Sequence, residues 1–393
     1  MLKKITLKGE QKKVLFLPPT NPIQIKGVAG SGKTTVALYR AKHLLETQAN
    51  LFKETKIVIF TYNKTLAAYI EAIKPYINGG YQKDTDDIKP KTADGLNVQI
   101  TNFHKWAFSF IEQNGIPLRK ETFVNGQKRI TWKTISGNAQ SDLIASSKRK
   151  FSSENIASKT IEFFKEEISW MKGKNFRTGD EYLEAKRTGR GTSDRVTKED
   201  KEVIWKIFQE YNAKLKSIDK VDFDDYAILA LNIINRKSNF VQPYTHIIID
   251  EAQDLNKAQI LVISKLVDNE TNSLSIIADA AQRIFKSGFV WSEVGINVRG
   301  GRTIEFKNNY RNTIPIANAA LSLLDKENDK SEFTTVKAAR KGTDKPKVAY
   351  YSDFDEQLNH LDDNLTILKN NNNLESTVIL HRSTNGVKLI KEF

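Results

Sequence analysis

The stretch from Gly27 to Thr34 combines glycines, a lysine and a hydroxyl residue in a spacing that suits a phosphate chain. It fits the pattern G-x-x-x-x-G-K-[ST] in full. Glycines let the backbone turn and aim its N–H groups inward, and the N-terminus of a following helix adds partial positive charge. The pattern therefore predicts that Lys33 reaches the β- and γ-phosphates of a nucleotide and that the Thr34 hydroxyl binds Mg²⁺. The nucleotide-binding residues predicted from this stretch are Gly27, Ala29, Gly30, Ser31, Gly32, Lys33, Thr34 and Thr35.

Two adjacent carboxylates, Asp250 and Glu251, follow a short apolar run far along the chain. A carboxylate at the end of a buried strand beside a phosphate loop is placed to hold Mg²⁺ through its water shell, and we predict that role for Asp250. Glu251 can accept a proton from the water that attacks the γ-phosphate. The alternative is structural, because Asp250 or Asp254 could cap the helix that begins at Leu255.

Gln282 and Arg311 are two further candidates for contacts with the γ-phosphate. Gln282 follows an apolar run that ends at Asp279, and a neutral amide there can contact the γ-phosphate or the attacking water. An arginine such as Arg311, supplied by a second domain, can neutralise the charge that develops during the reaction. Each has an ordinary alternative, since Gln282 could be a loop residue without a chemical role and Arg311 could form a surface ion pair.

These residues must be positioned by folded elements, which the apolar periodicity predicts. Strand-like runs alternate with helical spacing, as is typical of an α/β fold with a parallel sheet covered on both faces. The predicted strands are residues 22–26, 56–60, 98–101, 246–250 and 274–279. The predicted helices of this part are residues 35–45, residues 65–73 and one that begins near residue 103.

Two other parts of the chain have different patterns. Residues 136–240 are charged, rich in Lys and Glu and helical in spacing, which predicts a helical insertion in the sheet domain. A further core begins near residue 301, with predicted helices at 314–324 and 354–368 and predicted strands at 348–351 and 378–381. The resulting domains are residues 1–135 with 241–300 for the sheet, 136–240 for the insertion and 301–393 for a second domain.

Composition limits the classes of protein to which the chain can belong. The chain has 393 residues, no cysteine and a formal net charge of +14. The lack of cysteine excludes disulfides, zinc fingers and thiol catalysis, and a cytoplasmic location is the default expectation. No run approaches the ~20 apolar residues of a membrane span, so no membrane contact is expected. The positive charge favours a polyanion such as nucleic acid, although it could simply keep the protein soluble.

Several blocks, in this order, resemble the superfamily 1 DNA helicases of the UvrD/Rep/PcrA type. They are residues 27–34, 61–64, 103–104, 250–254, 279–282 and 309–311. The likeness covers nearly the whole chain, and residues 222–225 resemble the stretch where that family's helical insertion rejoins the first domain. The resemblance implies an α/β fold made of a RecA-like P-loop domain with a parallel sheet, a helical insertion and a partial second RecA-like domain.

The resemblance also implies roles for residues at matching positions. Gln11 would read adenine, Tyr310 would stack on it, and Arg311 would act as an arginine finger. Gln282 would couple the γ-phosphate to DNA. The residues implied to lie along single-stranded DNA are Tyr62, Asn63 and His104, although Tyr62 could equally pack in the core. Ser287 stands where the family has a base-stacking tryptophan, so the candidates for that contact are Phe285, Phe289 and Trp291.

The same resemblance implies an ATP hydrolase that uses Mg²⁺ and moves 3′ to 5′ along single-stranded DNA. The family's later motifs lie beyond Phe393. We therefore expect a missing C-terminal region or a protein partner to complete the ATP cleft, and we expect no unwinding by this chain alone. Two alternatives stay open: an ATP-binding regulatory subunit of a DNA repair or defence complex, and a helicase-derived module that works with a nuclease.

Overall fold

The computed structural model describes residues 5–48, 55–78, 98–125, 127–187, 195–279, 289–324, 337–381 and 383–393. Its strands are β1 (Ile23–Gly27), β2 (Ile57–Thr61), β3 (Val98–Asn102), β4 (Arg119–Val124), β5 (Gln127–Trp132), β6 (His246–Ile249), β7 (Ser273–Ala278), β8 (Thr303–Phe306), β9 (Asn308–Thr313) and β10 (Lys337–Arg340). Its α-helices are α1 (Lys33–Gln48), α2 (Lys64–Asn78), α3 (Phe103–Gln113), α4 (Gly137–Lys148), α5 (Ile161–Lys174), α6 (Gly179–Glu184), α7 (Lys198–Ser217), α8 (Asp225–Arg236), α9 (Lys257–Ser264), α10 (Ile314–Leu324), α11 (Phe354–Asn370) and α12 (Thr384–Glu392). The chain divides into two units, Met1–Lys341 and Gly342–Phe393.

One parallel sheet organises the first unit, with the strand order β3-β2-β6-β7-β1-β8. The pairing runs from Ile57 beside Val98 near one edge to Gln24 beside Thr303 near the other. Parallel neighbours cannot be joined by tight hairpins and need crossover connections, which the intervening helices provide. The predicted α/β fold with a parallel sheet of the RecA-like type is confirmed.

Alternate residues of the buried strands face opposite sides of this sheet. In β2, Ile57 and Ile59 join the apolar cluster to which α1 contributes, whereas Val58 and Phe60 join the cluster formed with α3, α8 and α9. All four side chains are buried. Helices therefore cover both faces, which is why the strands appear in the sequence as continuous apolar runs.

The edge strand β8 lies within the part of the chain that was predicted to form the second domain. It pairs in parallel with β1, and Phe306 is fully buried in the cluster that contains α1. The first unit extends to Lys341. The predicted boundary at residue 301 therefore differs from the division in the structure, because membership of a sheet depends on a partner strand that the local pattern does not reveal.

The inserted helices α4 to α7 share an apolar cluster of their own, which includes Phe164 and Ile204. Helix α8 was assigned by sequence to the same insertion, which was predicted to end at residue 240. Instead, Tyr226 and Leu231 of α8 belong to the sheet cluster, together with side chains of α3 and α9. The apolar face of α8 therefore completes the core of the sheet, and the inserted core ends before this helix begins.

A buried ion pair joins the insertion to the segment that leads into α8. The Nζ atom of Lys172, on α5, lies 2.7 Å from a carboxylate oxygen of Asp222 and 2.7 Å from one of Asp225. The Tyr211 hydroxyl donates a 2.8 Å hydrogen bond to Asp222. Burial by itself would lower the pKa of Lys172, yet these two carboxylates raise it above its ordinary value. The junction is therefore held by charges that water does not screen.

The second unit contains α11 and α12. The strands predicted at residues 348–351 and 378–381 are not formed, and among the described residues neither segment pairs with another strand. Val348 is 78% exposed and Val378 is 77% exposed. An apolar run becomes a strand only beside a hydrogen-bonding neighbour, which explains the difference. Across both units, no helix in the described part of the chain is long and apolar enough to cross a membrane.

Candidate nucleotide site and adjoining surface

The glycine-rich loop connects the end of β1 to the start of α1, as predicted. Gly30 and Gly32 have φ angles of +71° and +82°, which residues other than glycine rarely adopt. The Ser31 hydroxyl is buried and has no hydrogen-bond partner among the described residues. Ala29 lies in the loop, and Thr35 lies in the first turn of α1. A loop of this shape presents a row of donors to an anion.

Gln11 closes over this loop from the preceding 3₁₀ helix, Gly9–Phe16. Its Nε2 donates a 2.6 Å hydrogen bond to the carbonyl of Ser31, and its Oε1 accepts a 2.8 Å hydrogen bond from the Lys8 amide. A Cβ added to Gly32 would lie 2.4 Å from that Nε2 atom. The Gln11 side chain therefore packs directly against Gly32 and leaves no room for a side chain at that position.

Replacing Gly32 by alanine tests this fit. The new Cβ would meet Gln11 at a backbone conformation that costs on the order of 1–3 kcal/mol for a residue with a side chain. We expect an ATP dissociation constant about 10- to 100-fold higher, measured by titration of a fluorescent ATP analogue. Gly295→Ala is the matched control, because Gly295 has a φ of +76° but nothing within 4 Å of an added Cβ. Equal ATP affinities for the Gly32→Ala and Gly295→Ala variants would contradict the assignment of Gly32 to the nucleotide site.

Lys33 extends from the first residue of α1 into a pocket of acidic side chains. Its Nζ donates a 3.2 Å hydrogen bond to the Gly27 carbonyl and lies 3.7 Å from Asp279 and 4.0 Å from Glu251. Asp279 was not predicted to have a role, although it ends a buried apolar run as Asp250 does, and that parallel could have revealed it. The ammonium group therefore lies between the start of the glycine-rich loop and two carboxylates.

Asp250 is fully buried at the end of β6. Its Oδ2 accepts a 2.8 Å hydrogen bond from the Thr34 hydroxyl, although 216 residues separate the two in sequence. Burial and the neighbouring Glu251 carboxylate raise the pKa of Asp250 to about 7. A buried carboxylate next to a hydroxyl is the kind of oxygen pair that suits Mg²⁺. Among the described residues, no group of three histidine, aspartate or glutamate side chains could hold a metal ion.

Glu251 follows with a φ of +54°, an unusual conformation that often marks a functional site. Its side chain is 24% exposed, in contrast to the buried Asp250. Gln253 holds it in place, because its Nε2 donates a 2.7 Å hydrogen bond to Glu251 while its Oε1 accepts a 3.0 Å hydrogen bond from the Asp279 amide. Gln253 thus connects the ends of β6 and β7, a positioning role that the sequence did not indicate.

Strand β9 carries Tyr310 and Arg311 to the other side of the glycine-rich loop. The Tyr310 amide donates a 2.9 Å hydrogen bond to the carbonyl of Gly30. The backbone amide of Arg311 donates to the Asn309 side chain over 2.9 Å, and an added Cβ on Gly30 would lie 2.7 Å from the Cβ of Arg311. The exposed side chain of Arg311 therefore starts beside the loop. Asn309, which was not predicted, positions it.

Tyr62 and Asn63, two of the residues predicted to contact DNA, lie next to this site. Tyr62 is half-buried, and burial, Asp254 and Asp224 raise its pKa to about 12. Asn63 is exposed, and its Oδ1 accepts a 2.8 Å hydrogen bond from the Leu66 amide at the start of α2. The Asn63 side chain therefore also has a structural role as a helix cap.

His104 and Trp291 are more deeply packed than a purely DNA-contacting role requires. The His104 ring lies edge-on to Phe223, at 5.7 Å between centroids, and burial lowers its pKa. The Trp291 ring is edge-on to Phe289 at 5.5 Å, and both pack against the sheet core. Gln282 and Phe285 lie outside the described residues.

A pocket of about 560 Å³ connects the carboxylate segment to the segment after β2. Its lining residues are Asn63, Thr65, Leu66, Tyr69, Glu251, Gln253 and Asp254. Burial and the Glu251 carboxylate raise the pKa of Asp254 to about 6. The candidate catalytic carboxylate and the candidate DNA surface therefore share one opening.

A parallel sheet that ends in a glycine-rich phosphate loop and a buried carboxylate defines a P-loop nucleotide-binding domain of the RecA-like class. The family model described as "UvrD/REP helicase N-terminal domain" matches residues 7–289. The chain therefore belongs to the UvrD/REP helicase family, which confirms the resemblance found in the sequence.

Individual relatives agree with the family match. The ATP-dependent DNA helicase PcrA of Leuconostoc citreum is 23% identical over 323 residues, which cover 79% of this chain and 38% of the relative. The PcrA helicase of Staphylococcus epidermidis is 25% identical over 350 residues, 86% of this chain and 42% of the relative. PcrA of Staphylococcus aureus is 24% identical with the same coverage of 86% and 42%. The chain thus spans about two fifths of the length of these relatives.

Proposed function

We propose that this chain is the ATP-hydrolysing, DNA-binding part of an ATP-dependent DNA helicase. One observation carries the proposal: the Thr34 hydroxyl bonds to the buried Asp250 carboxylate, beside Lys33 and the partly exposed Glu251. A phosphate loop, a metal-binding oxygen pair and an accessible base are the parts that phosphoryl transfer to water requires. The helicase names of the relatives indicate the process that this hydrolysis drives.

Each residue around the loop has a defined task in this proposal. Lys33 binds the β- and γ-phosphates in place of its present carboxylate neighbours. Thr34 and Asp250 hold Mg²⁺, which supplies positive charge to the phosphate oxygens. Glu251 takes the proton of the attacking water, and Arg311 neutralises charge on the γ-phosphate.

The base of ATP lies at the other end of the loop in this proposal. The Tyr310 hydroxyl lies 3.1 Å from the position of an added Cβ on Gly9, two residues before Gln11. An aromatic ring and an amide thus approach the same end of the phosphate loop, where stacking and paired hydrogen bonds would select adenine. Gln282 couples the γ-phosphate to DNA in this proposal.

Single-stranded DNA is the proposed nucleic acid, with movement from 3′ to 5′. Stacking faces and backbone-directed donors suit a single strand, and Tyr62, Asn63 and His104 are of these types. Phe285 or Trp291 supplies a further stacking contact. The net charge of +14 favours a polyanion. The pocket that joins Asn63 to Glu251 supports coupling between DNA binding and hydrolysis.

ATP hydrolysis measured with and without a single-stranded oligonucleotide tests this function. We expect DNA to stimulate the wild-type rate, Mg²⁺ removal to abolish it, and Lys33→Ala to leave only background hydrolysis in both conditions. Lys42→Ala is the matched control, because Lys42 lies on the same helix in a partly exposed ion pair with Glu46. ATP binding without hydrolysis would instead favour a regulatory subunit, and binding of neither ATP nor DNA would exclude the proposal.

A further inference from the structure

An antiparallel hairpin connects α3 of the sheet domain to α4, the first of the inserted helices, along the chain. Its strands β4 and β5 pair from Arg119 opposite Trp132 to Val124 opposite Gln127. Every residue of β5 is exposed. A two-stranded hairpin is marginally stable by itself, so an exposed one of this length calls for a function.

One face of the hairpin presents a row of exposed apolar side chains. Residues opposite each other in an antiparallel pair lie on the same face, and side chains alternate along each strand. The register therefore places Phe123, Ile130 and Trp132 on one face, where they are 72%, 42% and 50% exposed. The row from Phe123 to Trp132 is about 14 Å long at ~3.4 Å per residue, which is enough for more than one nucleotide base.

Positive charges border this row. Arg119 lies at the Trp132 end and Lys128 at the Phe123 end, while Lys120 and Arg129 lie on the opposite face. The Lys128–Glu121 pair spans 2.8 Å with both side chains at least 40% exposed, and Arg119 is 43% exposed at 3.4 Å from Glu112. An exposed ion pair such as Lys128–Glu121 contributes little to stability, so a phosphate can replace the Glu121 carboxylate at small cost.

A series of ring contacts connects the base of the hairpin to His104. The Trp132 ring lies 5.8 Å from that of Phe108, which lies 6.4 Å from that of Tyr226. The Tyr226 ring lies 6.1 Å from that of His104. The base of the hairpin is therefore packed, through Phe108 and the buried Tyr226, against the same aromatic cluster as His104.

We propose that this hairpin is an additional binding site for single-stranded DNA, which extends the DNA path beyond His104. Bases stack on Phe123 and Trp132 and contact Ile130 between them, and Arg119 and Lys128 bind the flanking phosphates. Aromatic faces interleaved with cations are the usual platform for a single strand. The inference rests on the proposed function, because it continues the DNA path assigned there.

The double variant Phe123→Ala/Lys128→Ala tests this site in the full chain. Both residues lie away from the packed base of the hairpin, so the fold is retained. We expect affinity for a long single-stranded oligonucleotide, measured by fluorescence anisotropy, to fall about 10- to 100-fold, as removal of stacking and charge contacts usually gives. ATP hydrolysis without DNA should not change. Tyr350→Ala/Lys237→Ala is the control, because both residues are exposed and lie outside the hairpin.

Oligonucleotide length separates this site from the rest of the path. An oligonucleotide too short to extend past His104 should bind the variant and the wild type equally, whereas a long one should bind the variant more weakly. Equal binding of the long oligonucleotide would overturn the hairpin site and leave the proposed function intact. If the wild type binds no single strand at all, both fail. If the variant instead loses only self-association, seen by sedimentation, the apolar row is a contact between copies and the inference is wrong.

Discussion

Glu251→Gln is expected to lower the rate of ATP hydrolysis by about two to four orders of magnitude, the usual contribution of a positioned general base. The amide is nearly the same size as the carboxylate, and its oxygen can still accept the hydrogen bond from Gln253. It cannot accept a proton from water, however. Nucleotide affinity should therefore change little, because Lys33, Thr34 and the glycine-rich loop are untouched.

Single-turnover hydrolysis and titration with an ATP analogue separate these two effects. Glu46→Gln provides the control, since Glu46 lies on α1 with its side chain 63% exposed. We expect that variant to hydrolyse ATP at the wild-type rate. A Glu251→Gln rate within a few-fold of wild type would show that another group takes the proton. If the affinity for the ATP analogue falls as much as the rate does, Glu251 positions the nucleotide instead.

Lys172→Met is expected to lower the free energy of unfolding by about 3–5 kcal/mol, as the loss of one partner from a buried ion pair does. Lys172 and Asp222 are each 1% exposed. Without the ammonium group, the buried Asp222 and the partly buried Asp225 would lose the cation that both contact. The junction between the inserted helices and α8 should therefore weaken, as urea denaturation would measure.

The stability lost in Lys172→Met should depend on pH, and the pKa values of the neighbouring carboxyl groups give its direction. Burial and the Asp222 charge raise the pKa of Asp224 from its ordinary 3.8 to about 7. A carboxyl group whose pKa rises on folding contributes stability at low pH that is lost as the pH rises through the folded-state pKa. The Lys172 ammonium lowers the pKa of Asp224 and of Asp225 in the wild type, so its removal raises these two pKa values further. The deficit of the variant should therefore be larger at pH 8 than at pH 5.5.

Two comparisons identify the cause of the Lys172→Met effect. Lys165 lies on the same helix and forms a partly exposed ion pair with Glu162. Lys165→Met should therefore change the free energy of unfolding by less than about 0.5 kcal/mol. Lys172→Met/Asp222→Asn should recover part of the loss, because it removes one uncompensated charge and the new amide oxygen can still accept the Tyr211 hydrogen bond. Equal stability of the single and double variants would mean that packing of the lysine stem, and not its charge, holds the junction.

The sequence by itself identified the glycine-rich loop, the parallel sheet and the family. Each depends on short-range spacing: Gly30, Gly32 and Lys33 lie within one turn, and buried strands such as β2 are continuous apolar runs. The sequence also singled out Thr34 and Asp250, which the structure places 2.8 Å apart. The catalytic and DNA-binding roles of the individual residues stay predictions.

Only the tertiary structure decided which elements belong together and which side chains position others. Strand β8 joins β1, and α8 covers the sheet, because each finds its complementary apolar surface far away in sequence. Gln253 acts by bridging Glu251 and the Asp279 amide, and Lys172 acts through Asp222, 50 residues later. Such contacts leave no local pattern, because a polar side chain has the same appearance in the sequence whether its partner is water or a buried group. Its environment is set by the packing of the whole domain, and that environment determines what the side chain does.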